Sequence, residues 1–359
     1  MRTCLMVIAL VMTHQALAKK IITTVWGTEE MDNPLLEDIV DCALMQRLFF
    51  IDQSGPTRYF NRAPGLPRLV PAFLRYHHST GVWALTKKAG TSLKEQAAAL
   101  LHDGSHTAFS HLADVLFCHD EVEFNGSYQD SIHLWYLEAM DICNVISKHD
   151  MHIEDLEPDL PHYTALEQPS PCLCADRIQY IIHTGVIFNK ISPEDARAIV
   201  DSLTFEDNHW FFNDLTRAQQ FARLSLYFTH ELWGAPYNHV FYQCFAIALR
   251  QAFKDELFTK EQFLFGTDQE ILDLLYASTN PIIKDLLEKC NDIFAQFTIV
   301  PYGKGTYNFK PKCRGVDPLI KTENSPLQRL TEIDTDYKKD FETTKKWCQT
   351  GYGLSVTFA

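Results

Sequence analysis

Apolar residues recur at helical spacing through most of this 359-residue chain, and that pattern constrains the fold more than any other feature. Side chains three and four residues apart lie on one face of an α-helix, so each such run predicts a helix with a buried face. Strand-like alternation is scarce. We therefore predict an all-α, mainly helical fold with a small irregular or α+β appendage at the C-terminus. The clearest helical runs are 36–44, 97–101, 132–145, 241–253 and 271–275, and the best strand candidate is 298–302.

The first eighteen residues have the pattern of a secretory signal peptide. Arg2 supplies a short basic region, residues 5–12 form an apolar stretch too short to span a bilayer, and 16–18 form a small-x-small cleavage site. We expect residues 1–18 to be removed and the mature protein to be secreted or periplasmic, with no membrane span. A buried first helix or an inert extension is the alternative interpretation.

Composition divides the rest of the chain into two parts. Residues 19–300 contain the helical runs and are predicted to form the main domain. From residue 301 to 326 the sequence is polar and contains glycines and prolines. This stretch is predicted to lead into a small appendage that covers residues 301–359.

The formal net charge of -14 restricts the partners of the chain. Tight, non-specific binding to nucleic acid needs clustered cations that displace counterions, so we expect no nucleic-acid binding. A small phosphorylated substrate remains compatible with an acidic surface, because a pocket needs only a few local cations and a metal. The sequence leaves homo-oligomerisation open.

Histidines and aspartates cluster in three segments, and adjacent His102 and Asp103 matter most. An imidazole nitrogen and a carboxylate oxygen, with positions left open for water, are typical ligands of a catalytic divalent metal. The distant His78 and Asp176 could complete the set, because ligands that meet in space need not be close in sequence. For any single one of the fifteen histidines, a core or surface role is the simpler interpretation.

This pattern resembles the HD-domain phosphohydrolase superfamily, in which one histidine, a His-Asp pair and a distant aspartate bind the metal. Within the superfamily, the chain is most similar to the deoxynucleoside triphosphate triphosphohydrolases. The resemblance runs from about residue 20 to 268. Its motifs are Asn-Pro-Leu-Leu at 33–36 with Met-Gln-Arg-Leu at 45–48, Arg-Tyr-His-His-Ser at 75–79, His-Asp-Gly-Ser-His-Thr-Ala-Phe at 102–109, and Asp-Arg-Ile-Gln-Tyr at 176–180.

The resemblance implies that His78, His102, Asp103 and Asp176 bind the metal, and its register selects His78 over the neighbouring His77. Two neutral nitrogens and two carboxylate oxygens suit manganese, iron, zinc, nickel or magnesium. The geometry of the site, rather than the identity of its ligands, decides among these ions.

Three further residues are candidates for catalysis. His106 lies four residues after His102 and faces the same side if the helix continues. The resemblance implies that His106 and Asp114 act with the metal-activated water, and His111 precedes Asp114 by three residues. A carboxylate that orients a histidine keeps its imidazole basic and correctly turned for proton transfer. A solvated helix residue is the alternative interpretation of Asp114.

Substrate-binding candidates flank the metal ligands. Arg75 and Arg177 carry guanidinium groups, which bind phosphate oxygens bidentately, and the family uses a cation at both positions. The resemblance also implies that Tyr180 packs on the substrate, that Gln53 lies near its sugar, and that Tyr237 lies near its base and sugar. Ordinary core packing is the alternative for both tyrosines.

The chain departs from the family pattern at several positions. Ser105 occupies the usual glycine site and Ala108 the usual proline site. Gln129 stands where the family commonly has a histidine that assists catalysis, and His133, four residues on, could substitute for it. Thr184 replaces an aspartate that faces the sugar hydroxyl. These changes leave the four metal ligands intact but bear on specificity and activity.

We therefore predict a metal-dependent phosphohydrolase that acts on a nucleotide, with a deoxynucleoside triphosphate cleaved to deoxynucleoside and triphosphate as the leading hypothesis. One alternative is hydrolysis of another phosphoester, such as a nucleoside monophosphate or a cyclic nucleotide. The other is a catalytically impaired, exported HD-fold protein that binds a nucleotide or a protein.

Overall fold

A computed structural model describes residues 19–60, 72–117, 127–321 and 326–358. The predicted signal peptide, residues 1–18, lies outside this range and stays a prediction. The described chain is mainly helical with small sheets, which confirms the predicted fold class.

Helices supply most of the regular structure. Short 3₁₀ turns cover Leu48–Phe50, Gly55–Arg58, Ser147–His149, Ile153–Leu156 and Ile293–Ala295, and a π-helical turn covers Thr229–Trp233. In chain order the α-helices are α1 (Pro34–Asp41), α2 (Ala43–Arg47), α3 (Arg75–Lys88), α4 (Leu93–Leu101), α5 (Leu112–Phe117), α6 (Tyr128–Ala139), α7 (Ile142–Ile146), α8 (Ala175–Ile187), α9 (Pro193–Asp201), α10 (Leu215–Phe228), α11 (Pro236–Lys254), α12 (Lys260–Phe265), α13 (Asp268–Ala277), α14 (Pro281–Asn291), α15 (Leu330–Ile333) and α16 (Thr335–Thr350).

Nine short strands in the described residues form three small sheets. The strands are β1 (Lys20–Thr24), β2 (Gly27–Met31), β3 (Leu203–Glu206), β4 (His209–Phe212), β5 (Phe297–Val300), β6 (Tyr307–Phe309), β7 (Leu319–Ile320), β8 (Gln328–Arg329) and β9 (Tyr352–Val356). β1 and β2 form a hairpin, the second sheet has the order β3-β4-β7-β8, and the third has the order β5-β9-β6. β7 is parallel to β4, whereas the other pairs are antiparallel.

Helix α3 packs against both α4 and α8, and the three helices position His78 on α3, His102 at the end of α4 and Asp176 on α8. In α4, residues 97–101 are three alanines and two leucines, all fully buried, and the small side chains allow neighbouring helices to approach closely. Helix α3 is buried along residues 78–86. Ser92 caps the first turn of α4 by accepting a hydrogen bond from the backbone N–H of Glu95, which fixes where that helix begins.

The segment after β6 returns to the helical core. Val316 donates its backbone N–H to Ser225 Oγ on α10 at 3.1 Å, and Asp317 donates its own to the carbonyl of Pro171 at 3.0 Å. β7 then pairs with β4, and α16 packs against α10. These contacts hold residues 310–315 beside helices α8 and α10. The residues that follow the predicted boundary at 301 therefore make contacts with the helical core.

Candidate metal centre and substrate pocket

Three helices bring His78, His102 and Asp176 together. His78 lies in the first turn of α3, His102 caps the C-terminus of α4, and Asp176 lies in the first turn of α8. The Nε2 atoms of the two imidazoles are 3.2 Å apart. Asp176 Oδ1 lies 3.0 Å from the Nε2 of His78 and 3.8 Å from that of His102. Both histidines are buried, so these three donor atoms converge on one point inside the protein.

The hydrogen bonds behind the two imidazoles define which nitrogen carries the proton. The Nδ1 of His78 lies 2.5 Å from the amide oxygen of Gln179, and the Nδ1 of His102 lies 2.8 Å from the carbonyl of Ala99. Because both partners are acceptors, each Nδ1 must donate, and both Nε2 lone pairs then face each other. Lone pairs that converge with a carboxylate oxygen need a cation between them, so the donor set fits a divalent metal.

The Gln179 amide is itself fixed in orientation. Its Nε2 donates to His183 Nδ1 at 3.1 Å and to the carbonyl of His77 at 3.5 Å, which leaves its oxygen for His78. Gly81, one turn after His78, makes room for this side chain. A Cβ on Gly81 would come within 2.6 Å of the Gln179 Nε2. The absence of a side chain at residue 81 therefore supports the orientation of a candidate ligand.

Asp103 stands at the edge of the three-ligand set. Its Oδ2 is 3.3 Å from His78 Nε2 and 3.7 Å from His102 Nε2, but the same oxygen accepts a short hydrogen bond from Arg75. Its Oδ1 lies 3.3 Å from His106 Nε2. Burial alone would raise the pKa of Asp103, but the Arg75 guanidinium and the His102 imidazole hold it well below its usual range. Asp103 is therefore an anion shared between the predicted ligands and a buried cation.

The electrostatic field at this point favours positive charge. Burial disfavours the charged form of His102, yet Asp103 and Asp176 together raise the pKa of this imidazole to about 9. A metal that binds here replaces that proton. The carboxylate of Asp176 also lies at the N-terminus of α8, where the helix dipole stabilises negative charge.

A second group of donor atoms, from Glu167, Cys174 and Asp176, lies alongside. The Cys174 thiol donates to Glu167 Oε2 at 3.6 Å, and burial raises the pKa of Glu167 to about 8. Arg177 places its Nη1 3.3 Å from the Cys174 sulfur. A protonated carboxyl group and an adjacent guanidinium do not suit a metal ion, so this group is structural.

A cavity of about 320 Å³ lies beside the candidate metal centre, because its lining residue Phe73 packs edge-on against His78 with ring centres 5.9 Å apart. Its walls combine an apolar surface that suits a flat ring with polar and charged groups that suit an anionic ligand. The apolar and aromatic residues are Phe73, Val115, Ile187, Phe188, Leu232, Trp233, Tyr242 and Phe309. The polar and charged residues are Gln53, Ser54, Thr57, His111, Asp114, Thr184, Asn238, His239, Gln243, Lys312 and Arg314.

Of the predicted catalytic residues, His111 and Asp114 line this cavity and His106 lies behind them. His111 Nδ1 is 3.2 Å from Asp114 Oδ2, while Asp114 Oδ1 accepts the backbone N–H of Tyr128 at 2.7 Å. Burial would raise the pKa of Asp114, but His111 lowers it below its usual value. The buried His106 ring packs edge-on against His111, and burial together with Arg75 lowers its pKa to about 3.

Of the five predicted substrate-binding residues, one is in the described lining of the cavity. Gln53 lines the cavity, whereas Arg75, Arg177, Tyr180 and Tyr237 are absent from its described lining. Arg75 is buried against Asp103, and Tyr180 packs edge-on against Trp233. Tyr237 donates its hydroxyl to the Glu231 carbonyl at 3.1 Å. Their substrate roles stay predictions.

The Arg177 side chain turns back onto its own loop. Its Nη1 donates a short hydrogen bond to the Cys172 carbonyl, and its Nη2 donates to the Gln168 carbonyl at 3.2 Å. This guanidinium therefore holds the loop before α8 in place.

Tyr242, Gln243, Lys312 and Arg314 line the cavity but were not predicted to do so. Tyr242 and Gln243 lie on α11, in the same helix as the predicted Tyr237, but further along it. Lys312 and Arg314 come from the segment predicted to lead into the appendage. The signal that could have revealed them is the close spacing of Lys310, Lys312 and Arg314 in an acidic chain.

Several buried polar atoms around the cavity lack a hydrogen-bond partner among the described residues. They are acceptors as well as donors, so a ligand that offers both kinds of group would satisfy them. These atoms include Gln53 Oε1, Gln243 Oε1, His106 Nδ1 and Arg75 Nη2.

The departures from the family pattern also have positions in the structure. Ser105 Oγ lies 3.1 Å from His133 Nδ1, and His133 Nε2 lies 3.3 Å from the Leu156 carbonyl. Burial lowers the pKa of His133 to about 4, and this residue is absent from the described cavity lining. Its contacts therefore fit a structural role better than the predicted substitution for Gln129. Thr184 does line the cavity.

Comparison with known proteins gives two kinds of relationship. The chain is 34% identical over 298 residues to the uncharacterized protein YdhJ of Bacillus subtilis, and the match covers 82% of this chain and 86% of YdhJ. It is 35% identical over 194 residues to the metal-dependent phosphohydrolase cns2 of Cordyceps militaris, and this match spans 53% of each protein. No family model matches the chain.

Two solved structures share the fold. The Bacteroides thetaiotaomicron phosphohydrolase BT4208 superposes with a TM-score of 0.68 at 17% identity, covering 94% of this chain and 99% of that one. A hypothetical protein from Aquifex aeolicus superposes with a TM-score of 0.61 at 14% identity, covering 91% and 99%. Among the described residues, no helix combines the length and apolarity needed to cross a membrane.

Proposed function

We propose that this chain, which belongs to the HD-domain superfamily of metal-dependent phosphohydrolases and to the same family as YdhJ, hydrolyses a nucleotide phosphoester. The observation that carries the proposal is the convergence of two imidazole lone pairs and the Asp176 carboxylate beside a cavity with aromatic and polar walls. The description of cns2 as a metal-dependent phosphohydrolase supports the same reaction class.

The residues of the chain divide the chemistry between them. When bound by His78, His102 and Asp176, a divalent cation supplies a Lewis acid and lowers the pKa of water. Asp114 orients the His111 imidazole, whose Nδ1 lies 3.2 Å from its carboxylate, so that the opposite nitrogen can accept or donate a proton at the cavity.

Arg75 places positive charge beside this chemistry. Its Nη1 is bound to Asp103 and its Nε donates to Ser110 Oγ at 3.0 Å, while its buried Nη2 has no partner among the described residues. A phosphoryl oxygen is an acceptor that would satisfy this Nη2. The guanidinium thus stabilises negative charge that develops on the phosphoryl group.

The cavity supports a nucleotide over a simple phosphate ester. Phe73, Phe188 and Trp233 offer apolar surface for a base or sugar, and burying such surface contributes about 25 cal/mol per Å². The unpartnered amide oxygens of Gln53 and Gln243 accept hydrogen bonds from donors such as sugar hydroxyl or exocyclic amino groups. A deoxynucleoside triphosphate, cleaved to deoxynucleoside and triphosphate, is the leading substrate in this proposal.

The test is turnover of a substrate panel by the full chain with manganese and, separately, with magnesium, zinc, iron and nickel. The panel contains deoxynucleoside triphosphates, nucleoside monophosphates, cyclic nucleotides and p-nitrophenyl phosphate, with products identified by chromatography. We expect metal-dependent turnover of a nucleotide, and loss of turnover in Asp176→Ala. Triphosphate with deoxynucleoside as products supports the leading substrate, and orthophosphate with nucleoside, released from a nucleoside monophosphate, supports the monophosphate alternative.

Two outcomes would overturn the proposal. One is turnover that survives in Asp176→Ala, because the reaction would then not occur at this centre. The other is a metal-loaded protein that binds nucleotides without cleaving any member of the panel, which would favour a catalytically impaired binding protein.

A further inference from the structure

Protein partners hold the two predicted phosphate-binding guanidinium groups in fixed orientations. Arg75 is paired with Asp103, and Arg177 donates to the carbonyls of Cys172 and Gln168. Neither guanidinium is therefore free to turn toward a phosphate that lies further along the cavity. The two cations that the family pattern assigns to phosphate binding therefore do not supply a charge for such a phosphate.

Lys312 and Arg314 supply free positive charge to the same cavity. Both line it, and neither forms an ion pair with any acidic group within the described residues. Lys312 is exposed at the mouth, whereas Arg314 is half-buried, with its guanidinium carbon 5.5 Å from the centre of the Tyr180 ring and 5.9 Å from that of Trp233. Stacking on two aromatic rings fixes the Arg314 guanidinium in place.

The two charges are held together at an electrostatic cost. Arg314 is the largest cause that lowers the pKa of Lys312, followed by burial, while Asp176 acts in the opposite direction. Lys312 therefore lies within electrostatic range of two like charges, Arg314 and Arg177, and of the candidate metal ligand Asp176. An anion bound between Lys312 and Arg314 would relieve the repulsion.

We propose that Lys312 and Arg314 bind a second phosphate group of the substrate, beyond the phosphate at the metal centre, and so take the role that the family pattern gives to residue 177. In this proposal, the buried Nη2 of Arg75 donates to the phosphate at the metal centre, and Lys312 and Arg314 bind the adjacent phosphate. This inference rests on the proposed function, and it narrows the substrate to a nucleotide with at least two linked phosphates.

The fold holds this pair in place. Val316 and Asp317 follow directly after residues 310–315. Their backbone N–H groups donate hydrogen bonds to Ser225 Oγ and to the carbonyl of Pro171. Tyr337 on α16 also donates its hydroxyl to the Val316 carbonyl. A segment anchored on α10, on the loop before α8 and on α16 loses little entropy when it binds an anion.

The first experiment measures binding of inorganic pyrophosphate and of inorganic orthophosphate by calorimetry to the metal-stripped full chain. The variants are Lys312→Gln, the double variant K312Q/R314Q, and Lys310→Gln as the matched control, because Lys310 is exposed and faces the Tyr302 ring. We expect the double variant to bind pyrophosphate at least tenfold more weakly, Lys312→Gln to show part of that loss, and the control to stay within twofold. Unchanged pyrophosphate binding in the double variant would overturn the inference.

A kinetic experiment separates a second-phosphate site from general support of the pocket. With a nucleoside triphosphate, the double variant should raise KM about tenfold with kcat within twofold, and with p-nitrophenyl phosphate both constants should stay unchanged. Equal losses on both substrates would contradict a role beyond the first phosphate. Since Arg314 also packs on aromatic rings, Lys312→Gln and Arg314→Lys, checked by thermal unfolding, keep the test valid if the double variant is unstable.

The binding and turnover experiments can contradict the proposed function and this inference separately. Pyrophosphate binding that depends on Lys312 and Arg314, without turnover of any nucleotide, would overturn the proposed function and leave an anion site. Turnover of nucleotides with no effect of the two substitutions would keep the proposed function and remove this inference.

Discussion

The metal centre and the far wall of the cavity are built by opposite means. At the centre, the outer nitrogen of each candidate histidine is fixed by a protein acceptor, and the remaining lone pairs converge on one point. At the cavity wall, within the described residues, the amide oxygens of Gln53 and Gln243 have no donor, and the charges of Lys312 and Arg314 have no acidic partner.

This difference suggests that the centre determines catalysis and the cavity wall determines substrate specificity. A metal is a small, nearly spherical ligand, so the protein must preorganise the donor atoms that bind it. A nucleotide, the proposed substrate, brings its own donors, acceptors and charges, so the wall proposed to receive it can present groups that have no partner within the described residues. Substitutions at the centre should therefore affect every substrate equally, and substitutions at the wall should distinguish among substrates.

The largest effect is expected at the centre itself. His102→Ala removes one of three converging donors, and we expect loss of bound metal and a fall in kcat of about a thousandfold or more on every substrate. Metal content by mass spectrometry and turnover measure this. His209→Ala, an exposed histidine on β4, is the control and should keep both. Retained metal and full turnover in His102→Ala would place the metal elsewhere.

A smaller loss of activity is expected for substitutions at residues that orient the candidate ligand His78. Gln179→Leu removes the acceptor for His78 Nδ1, and Gly81→Ala drives a Cβ to within 2.6 Å of the Gln179 amide nitrogen. We expect each to weaken metal affinity about 10- to 100-fold, with turnover restored at saturating metal. Titration of metal against activity measures this shift. Gln179→Glu keeps an acceptor and should bind metal close to wild type, and an equal loss there would show that the acceptor is not what matters.

At the wall, the effect should depend on the substrate. Gln53→Leu or Gln243→Leu removes an acceptor, and a lost hydrogen bond of about 1 kcal/mol corresponds to a KM raised roughly fivefold to tenfold for nucleotides, with kcat unchanged. For p-nitrophenyl phosphate, which lacks sugar and base, no change is expected. Gln251→Leu, on the same helix but bonded to Asp255, serves as the control. Equal changes for both substrates would break the distinction between centre and wall.

The smallest effect concerns stability and pH. Burial raises the pKa of Asp52 to about 7 and that of Asp268 to about 6, both above the ordinary value of an aspartate. A raised pKa in the folded state adds stability that is present below the unfolded pKa and is lost as the pH rises through the folded one. We therefore expect the stability contributed by these two carboxyl groups to be lost between pH 5 and pH 8, by an amount that corresponds to about a few degrees in Tm.

Asp52→Asn tests this assignment. The substitution removes the titrating group next to Gln53, so the Tm of the variant relative to that of the wild type should increase as the pH rises from 5 to 8. Circular dichroism melts at matched ionic strength measure this difference. A difference that stays constant with pH would show that other groups, including the metal ligands, set the pH dependence.

The helical fold follows from local features of the sequence, whereas the grouping of His78, His102 and Asp176 was predicted from the resemblance to the HD-domain superfamily. Helical periodicity fixes which residues share a face, and a ligand near the end of each of three packed helices can reach a common point. The predicted helical fold class is confirmed. The strand predicted at 298–302 corresponds to β5 at Phe297–Val300, within two residues at its C-terminal end.

The substrate-binding side chains could not be predicted in the same way, because hydrogen bonds to irregular segments orient them. The Arg177 side chain is directed by carbonyls of the loop before α8, and the Tyr237 hydroxyl is held by Glu231 in the preceding π-helical turn. Lys312 and Arg314 lie at the cavity in a segment that is anchored, just after them, by hydrogen bonds from Val316 to Ser225 and from Asp317 to Pro171. None of these contacts has a periodic signature, so a motif alone gives no orientation.

The chain order of the two regions has a consequence for biosynthesis. The candidate metal ligands lie between residues 78 and 176, whereas the cations of the cavity wall lie about 140 residues later. At typical translation rates, the ribosome needs roughly 10 s to make that interval. A growing chain therefore contains its whole metal ligand set before Lys312 and Arg314 exist. Capture of the metal can precede completion of the substrate site, and a product truncated before residue 312 would retain the ligands while lacking the proposed contact to the second phosphate.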